Sequence, residues 1–121
     1  MVVVDSSGWI EFFTDGPKAS RFCRHLQKLE QIVTPVIVAY EVYKKIKRER
    51  GESLARLCLA QIEKTHVAPL TLGLAQLAAD LSLEHSLPMA DAMVLATARL
   101  HGALLVTSDS DFRNLPNVQV L

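Results

Sequence analysis

Charge of one prevailing sign is missing from this sequence, where 13 Lys plus Arg are matched by 13 Asp plus Glu. No overall field therefore argues for nucleic acid or a membrane surface as partner, and any charge-driven contact has to come from local clusters. Cysteine is scarce. Cys23 and Cys58 each fall in a predicted helix among apolar neighbours, with no CxxC and no histidine at ligand spacing, which reads as buried thiols in a reducing compartment. His25, His66, His85 and His101 are scattered, with no HxH or HExxH, so neither zinc nor a histidine general base is indicated. No apolar run approaches the roughly 20 residues of a membrane span. The opening Met1 to Val4 has no basic leader and meets Asp5 at once, unlike a signal peptide. A cytoplasmic protein with no membrane partner is expected.

What is present is a core-forming composition: 121 residues with 50% hydrophobic content fit one domain over 1–121. Short β-branched or apolar runs at Val2–Val4, Ile32–Thr34, His66–Leu70, Ala103–Val106 and Val118–Leu121 predict strands. Helical periodicity fills the intervals. It predicts a helix carrying Trp9, Ile10, Phe12 and Phe13 with Ser6 and Ser7 as cap residues before it, one over Lys18–Gln31 from Phe22, Leu26 and Leu29, a long one from Val36, one over Glu52–Lys64, one from Thr71 and one from Pro88. Strands alternating with helices, without repeat or linker, imply an α/β fold: an open, mostly parallel sheet with helices on both faces.

The centre of the pattern is Pro88 to Phe112, a helix with Asp91 in its first turn, a Gly102 stop, a strand, and then Thr107, Ser108, Asp109, Ser110 and Asp111. Each acid has an ordinary explanation. A first-turn carboxylate complements the helix dipole, an acid after a strand is turn chemistry, and Asp5 can be an N-cap. Glu41 is less ordinary, being the sole charge in the apolar first half of its helix, where its default partner is Lys45 one turn on. In open α/β sheets, sites lie outside the carboxyl ends of the strands. Asp5 follows the first strand, Glu41 lies one turn into the helix after the second, and Asp109 follows the fourth; Asp91 leads toward that strand, and the pattern leaves its end open. Should they meet, the carboxylates repel and their pKa values rise. A divalent cation relieves this, and oxygen-only ligands select Mg²⁺ or Mn²⁺, which would also attract a phosphodiester and activate water against it. Lys44, Lys45, Lys47 and Arg48 form the densest basic cluster, either a solvated helix face or a contact for nucleic-acid backbone.

The run Val-Asp5-Ser-Ser, Glu41 in an apolar helix start, Pro88-Met-Ala-Asp91-Ala with a following Ala-Thr-Ala, and Thr107-Ser-Asp109-Ser-Asp111-Phe112 resembles the PIN-domain nucleases over nearly the whole chain. The resemblance implies a single PIN-like domain in which Asp5, Glu41, Asp91 and Asp109 hold Mg²⁺ or Mn²⁺. It adds Asp111 as a more variable fifth acid and Ser6 and Thr107 as hydroxyl supports. In size the chain is similar to toxin members of PIN toxin–antitoxin pairs of the VapC kind, which implies an endoribonuclease with an RNA substrate, a small antitoxin protein as partner and a homodimer. An RNA-processing nuclease outside such a pair, or a catalytically silent interaction domain of the same fold, has the same pattern. Two other phosphoryl-transfer readings are disfavoured. A receiver module needs an Asp after the third strand, where Pro69, Leu70 and Thr71 stand, and an aspartate-nucleophile phosphatase needs a second acid in Asp5-Ser6-Ser7.

Overall fold

Five short strands alternate with six helices in the computed structural model, which describes residues 1–121. They are β1 (Val2–Val4), α1 (Ser6–Phe13), α2 (Ala19–Cys23), β2 (Val33–Pro35), α3 (Val36–Arg50), α4 (Glu52–Glu63), β3 (His66–Ala68), α5 (Leu72–His85), α6 (Met89–Leu100), β4 (Leu104–Thr107) and β5 (Val118–Val120). All ladders are parallel: β1 pairs with β4, β4 with β5, and β2 with β3. A single parallel bridge from Val2 to Ile32 joins the two ladders, so the strands run β3-β2-β1-β4-β5. Strand order thus reverses beside β1, which puts the ends of β1 and β4 at the switch point where a crevice forms.

The apolar runs become strands because both sheet faces are covered. Val3, Val4, Val33, Leu105 and Val106 are fully buried in a continuous core with Trp9, Phe22, Val38, Ile46, Ile62, Leu95 and Phe112. Each such side chain contributes about 1.5–3 kcal/mol relative to exposure. Close approach of α1 to the sheet requires Gly8, where an added Cβ would lie 2.5 Å from Phe22 Cδ1 and 2.7 Å from Val4 Cγ1. Between α3 and α4, Gly51 takes a φ of +97°, a left-handed conformation that serves as the joint of the helical pair. At the end of α4, Thr65 donates to Ile62 O at 2.6 Å, so in the 2.7 Å contact between Thr34 and Thr65 hydroxyls the proton comes from Thr34.

Several expectations need correction. The helix over Lys18–Gln31 is not continuous: α2 stops at Cys23, and 3-10 turns occupy Arg24–Leu26 and Leu29–Gln31. The break is at Lys28, whose φ of −121° and ψ of 91° are extended, and it redirects the chain into β2. Strand β2 is shifted to include Pro35, tolerated because Pro35 closes the strand and starts α3. The third strand ends at Ala68, since Pro69 follows it. Cys58 is buried, whereas Cys23, at the end of the truncated α2, is only partly so.

Candidate active site

Asp5 is where strand, helix and site meet. Its backbone N–H donates to Val106 O at 2.9 Å, extending the β1–β4 ladder by one bond. With φ −64° and ψ 161° it then caps α1, Oδ1 accepting from Ser6 N at 2.8 Å. The other oxygen, Oδ2, accepts from the Thr107 hydroxyl at 2.8 Å and from the Ser7 hydroxyl at 3.3 Å. The carboxyl is buried, at 4% exposure. Burial pushes its pKa up; the hydrogen bonds from Thr107, Ser6 and Ser7 oppose the rise, and the charge of Asp109 adds to it.

Thr107, the last residue of β4, is shared between two acids, since its hydroxyl also accepts from Asp109 N at 3.0 Å. Asp109 caps the 3-10 turn Ser110–Phe112 by accepting from Asp111 N at 2.9 Å. Ser7 completes the frame, its Oγ accepting from Ser108 N at 3.2 Å. From the sequence Ser7 reads only as a residue capping α1. The available signal was its place two residues after an acid at a strand end, within reach of the neighbouring parallel strand.

Asp91 lies in the first turn of α6 and comes to this same edge. Asp91, Asp109 and Asp111 each bring a carboxylate oxygen within 4.8 Å of the others. Asp91 has its pKa pushed up to about 7, by burial first and then by the charges of Asp109, Asp5, Asp111 and Glu41. Glu41 is raised by burial and by Asp5, with the Ser6 hydroxyl pulling the other way. Its default partner does not hold it, for no ion pair forms between Glu41 and Lys45.

Asp5, Glu41, Asp91 and Asp109 line one cleft of about 410 Å³, together with Ser6 and Ser7. The compact acid triad nevertheless includes the exposed Asp111 and omits Asp5 and Glu41. Lys44, Lys45 and Arg48 line the same cleft, at the helical spacing 41, 44, 45, 48 that puts them on the face of Glu41. Lys47 does not line the cleft: its Nζ is 3.6 Å from Glu52 at the start of α4. The donors fit a hard divalent cation, being carboxylate oxygens only, three of them within 4.8 Å of one another.

The protein is thus a parallel α/β domain with an acid cleft at the carboxyl edge of its sheet, lined also by lysine and arginine. Residues 2–118 match the PIN domain model, and the chain belongs to the PIN domain family. The same fold is found in a toxin–antitoxin complex from Klebsiella pneumoniae, with a TM-score of 0.84 at 24% identity over 99% of this chain and 97% of that one. It recurs in Mycobacterium tuberculosis VapC20, described as a sarcin-ricin loop cleaving toxin, with a TM-score of 0.77 at 21% identity over 93% and 92% of the two chains. FitAcB from Neisseria gonorrhoeae is similar at a TM-score of 0.68, with 17% identity over 92% and 89%. No curated protein matches the sequence. No helix is long and apolar enough to cross a membrane.

Proposed function

We propose that the protein is a Mg²⁺- or Mn²⁺-dependent endoribonuclease and the toxin of a toxin–antitoxin pair. The observation that carries this reading is the convergence of Asp5, Glu41, Asp91 and Asp109 on one cleft beside Lys44, Lys45 and Arg48. An acid cluster alone repels a phosphodiester, and a basic wall alone binds one without chemistry. Together they match a polyanion held across a cation site.

Asp91, Asp109 and Asp111, whose oxygens come together, would hold the ion, with Asp5 and Glu41 as further ligands in the same cleft. A divalent cation there supplies Lewis acidity to the phosphoryl group and lowers the cost of ionising water. The chain's own residues do the rest. Thr107 and Ser7 fix the Asp5 carboxylate, so this acid meets a substrate without reorganising. Lys44, Lys45 and Arg48 take the phosphates on either side of the reacting one.

The partner reading rests on relatives described as toxin–antitoxin complexes. A small antitoxin protein is the partner we propose for this chain also. We propose a homodimer as well, with Leu72 and Leu83 of α5, 89% and 86% exposed and eleven residues apart on one helical face, as apolar contacts. Replacing Leu83 by Glu should convert a dimer to a monomer in analytical ultracentrifugation, and a monomeric wild type would refute the dimer.

The decisive experiment for the activity is cleavage of single-stranded RNA by purified protein with Mn²⁺, with EDTA, and by Asp91→Asn and Asp109→Asn. Cleavage should need the metal and fall by at least about a hundredfold in both variants, a loss of about 2.7 kcal/mol or more in barrier terms. Variants that cut as fast as wild type would assign the activity to a contaminant and remove the nuclease reading.

A further inference from the structure

The cleft wall has one feature that phosphate chemistry leaves unexplained. Its only apolar contributors are Ile10 and Tyr40, and Tyr40 is 58% exposed at the start of α3, immediately before Glu41. The protein's aromatic contacts are Trp9 with Phe13, Phe12 with Phe13, and His66 with His101, so the Tyr40 ring is stacked on none of them. Lys44 Nζ lies 3.3 Å from the Tyr40 hydroxyl oxygen but 5.4 Å from the ring centre. The ammonium donates to the hydroxyl and lies over one face of the ring at the long end of cation–π range, so Lys44 does not cover the opposite face. Held at one end by Lys44 and rooted in α3, the ring is a flat apolar surface at the edge of a charged cleft.

We infer that Tyr40 is a stacking platform for an unpaired nucleobase flanking the phosphodiester in the acid cleft, and so a specificity-determining residue for single-stranded over duplex RNA. The inference rests on the nuclease reading. A chain with its phosphates along Lys45 and Arg48 must put a sugar and base beside the next residue of that wall, and a base in a duplex has both faces occupied by its neighbours. Stacking accepts any base, since all have a π-face, and the platform therefore selects strandedness and not sequence. Lys44 has two functions here, as the restraint on the Tyr40 hydroxyl and as a cation beside the adjacent phosphate.

The test is binding to Asp91→Asn protein, which keeps the wall but is expected not to cut, measured by fluorescence anisotropy at constant salt. The probes are a labelled mixed-sequence single-stranded RNA of twelve nucleotides and an abasic ribose-phosphate chain of equal length. Tyr40→Ala should weaken the base-bearing probe at least about fivefold, Tyr40→Phe should stay near the parent, and all three should bind the abasic chain alike. Equal loss on both probes would make Tyr40 a mere support for Lys44 and overturn the inference. No loss on either, or no binding of the base-bearing probe by the parent, would overturn it as well. The nuclease reading fails separately, if Asp91→Asn cleaves RNA as wild type does, so the two failures are distinguishable.

Discussion

The Thr107 hydroxyl donates to Asp5 Oδ2 at 2.8 Å across 102 residues of sequence, and its lone pair accepts from Asp109 N at 3.0 Å. One buried hydroxyl thus fixes the distance between two acids from different strands. Thr107→Val keeps the shape and removes both bonds, leaving Asp5 with the 3.3 Å contact to Ser7 as its side-chain donor. The expected cost is about 1–3 kcal/mol in chemical denaturation, together with weakened Mn²⁺ binding. Thr107→Ser retains the hydroxyl, costs about 0.5–1.5 kcal/mol for the lost methyl, and should bind Mn²⁺ as wild type does. If the two variants bind metal equally well, the hydroxyl is not what holds Asp5.

Asp91 gives the fold a pH dependence whose sign follows from its neighbours. The unfolded chain ionises this carboxyl near 3.8, the folded one only near 7. Between those values the metal-free folded state holds the extra proton, so stability is fully present below the lower value and is lost as pH rises through the upper one. Asp5 and Glu41, also raised, act in the same direction. Metal-free wild type should therefore lose stability relative to Asp91→Asn on going from about pH 5 to about pH 8. Denaturation curves for both proteins across that range decide it. A constant difference would mean that Asp91 does not carry the repulsion.

The order of elements was legible in the sequence because both faces of the sheet are covered, which forces its strands to be continuous apolar runs such as Val2–Val4 and Leu104–Val106. Asp5, Glu41 and Asp109 could be placed at one edge from topology alone. Asp91 could not, since a first-turn acid reads the same whichever end of the sheet the helix starts from. The segment after α2 misled for a related reason: Phe22, Leu26 and Leu29 satisfy helical spacing, and the break at Lys28 carries no Gly or Pro to announce it. The basic wall was half legible. Residues 41, 44, 45 and 48 share a face by arithmetic, whereas the Lys47–Glu52 pairing depends on how Gly51 folds α4 back.

Metal binding should stabilise the protein through the acids that converge. A ligand bound only by the folded state adds RT ln(1 + [L]/Kd), about 2.7 kcal/mol at a hundredfold excess over Kd. Wild type should show an upward shift of its melting temperature with Mn²⁺ at about pH 8, above the value near 7 of Asp91, and a smaller shift at about pH 5. Asp91→Asn and Asp109→Asn should shift little. Asp111→Asn should also shift less than wild type, because its oxygen belongs to the compact triad despite its exposure. A full shift in Asp111→Asn would return that residue to the role of a turn acid.

The geometry of α3 separates cations that composition treats alike. Lys45 and Arg48 line the cleft, while Lys47, one residue before Arg48, is turned to Glu52 at 3.6 Å. Each phosphate contact on a single strand contributes about 0.7 to the slope of log affinity against log salt, so removing two should flatten it by about 1.4. The double variant Lys45→Ala, Arg48→Ala in the Asp91→Asn background should show that change with single-stranded RNA. Lys47→Ala should leave the slope where it was, its charge being engaged within the protein and directed away from the cleft. Net charge falls in both proteins, so a mere field effect would flatten the two slopes in proportion to the charges removed. Only a directed contact changes one and spares the other, and equal slopes per charge removed would mean that the whole basic cluster is a solvated face.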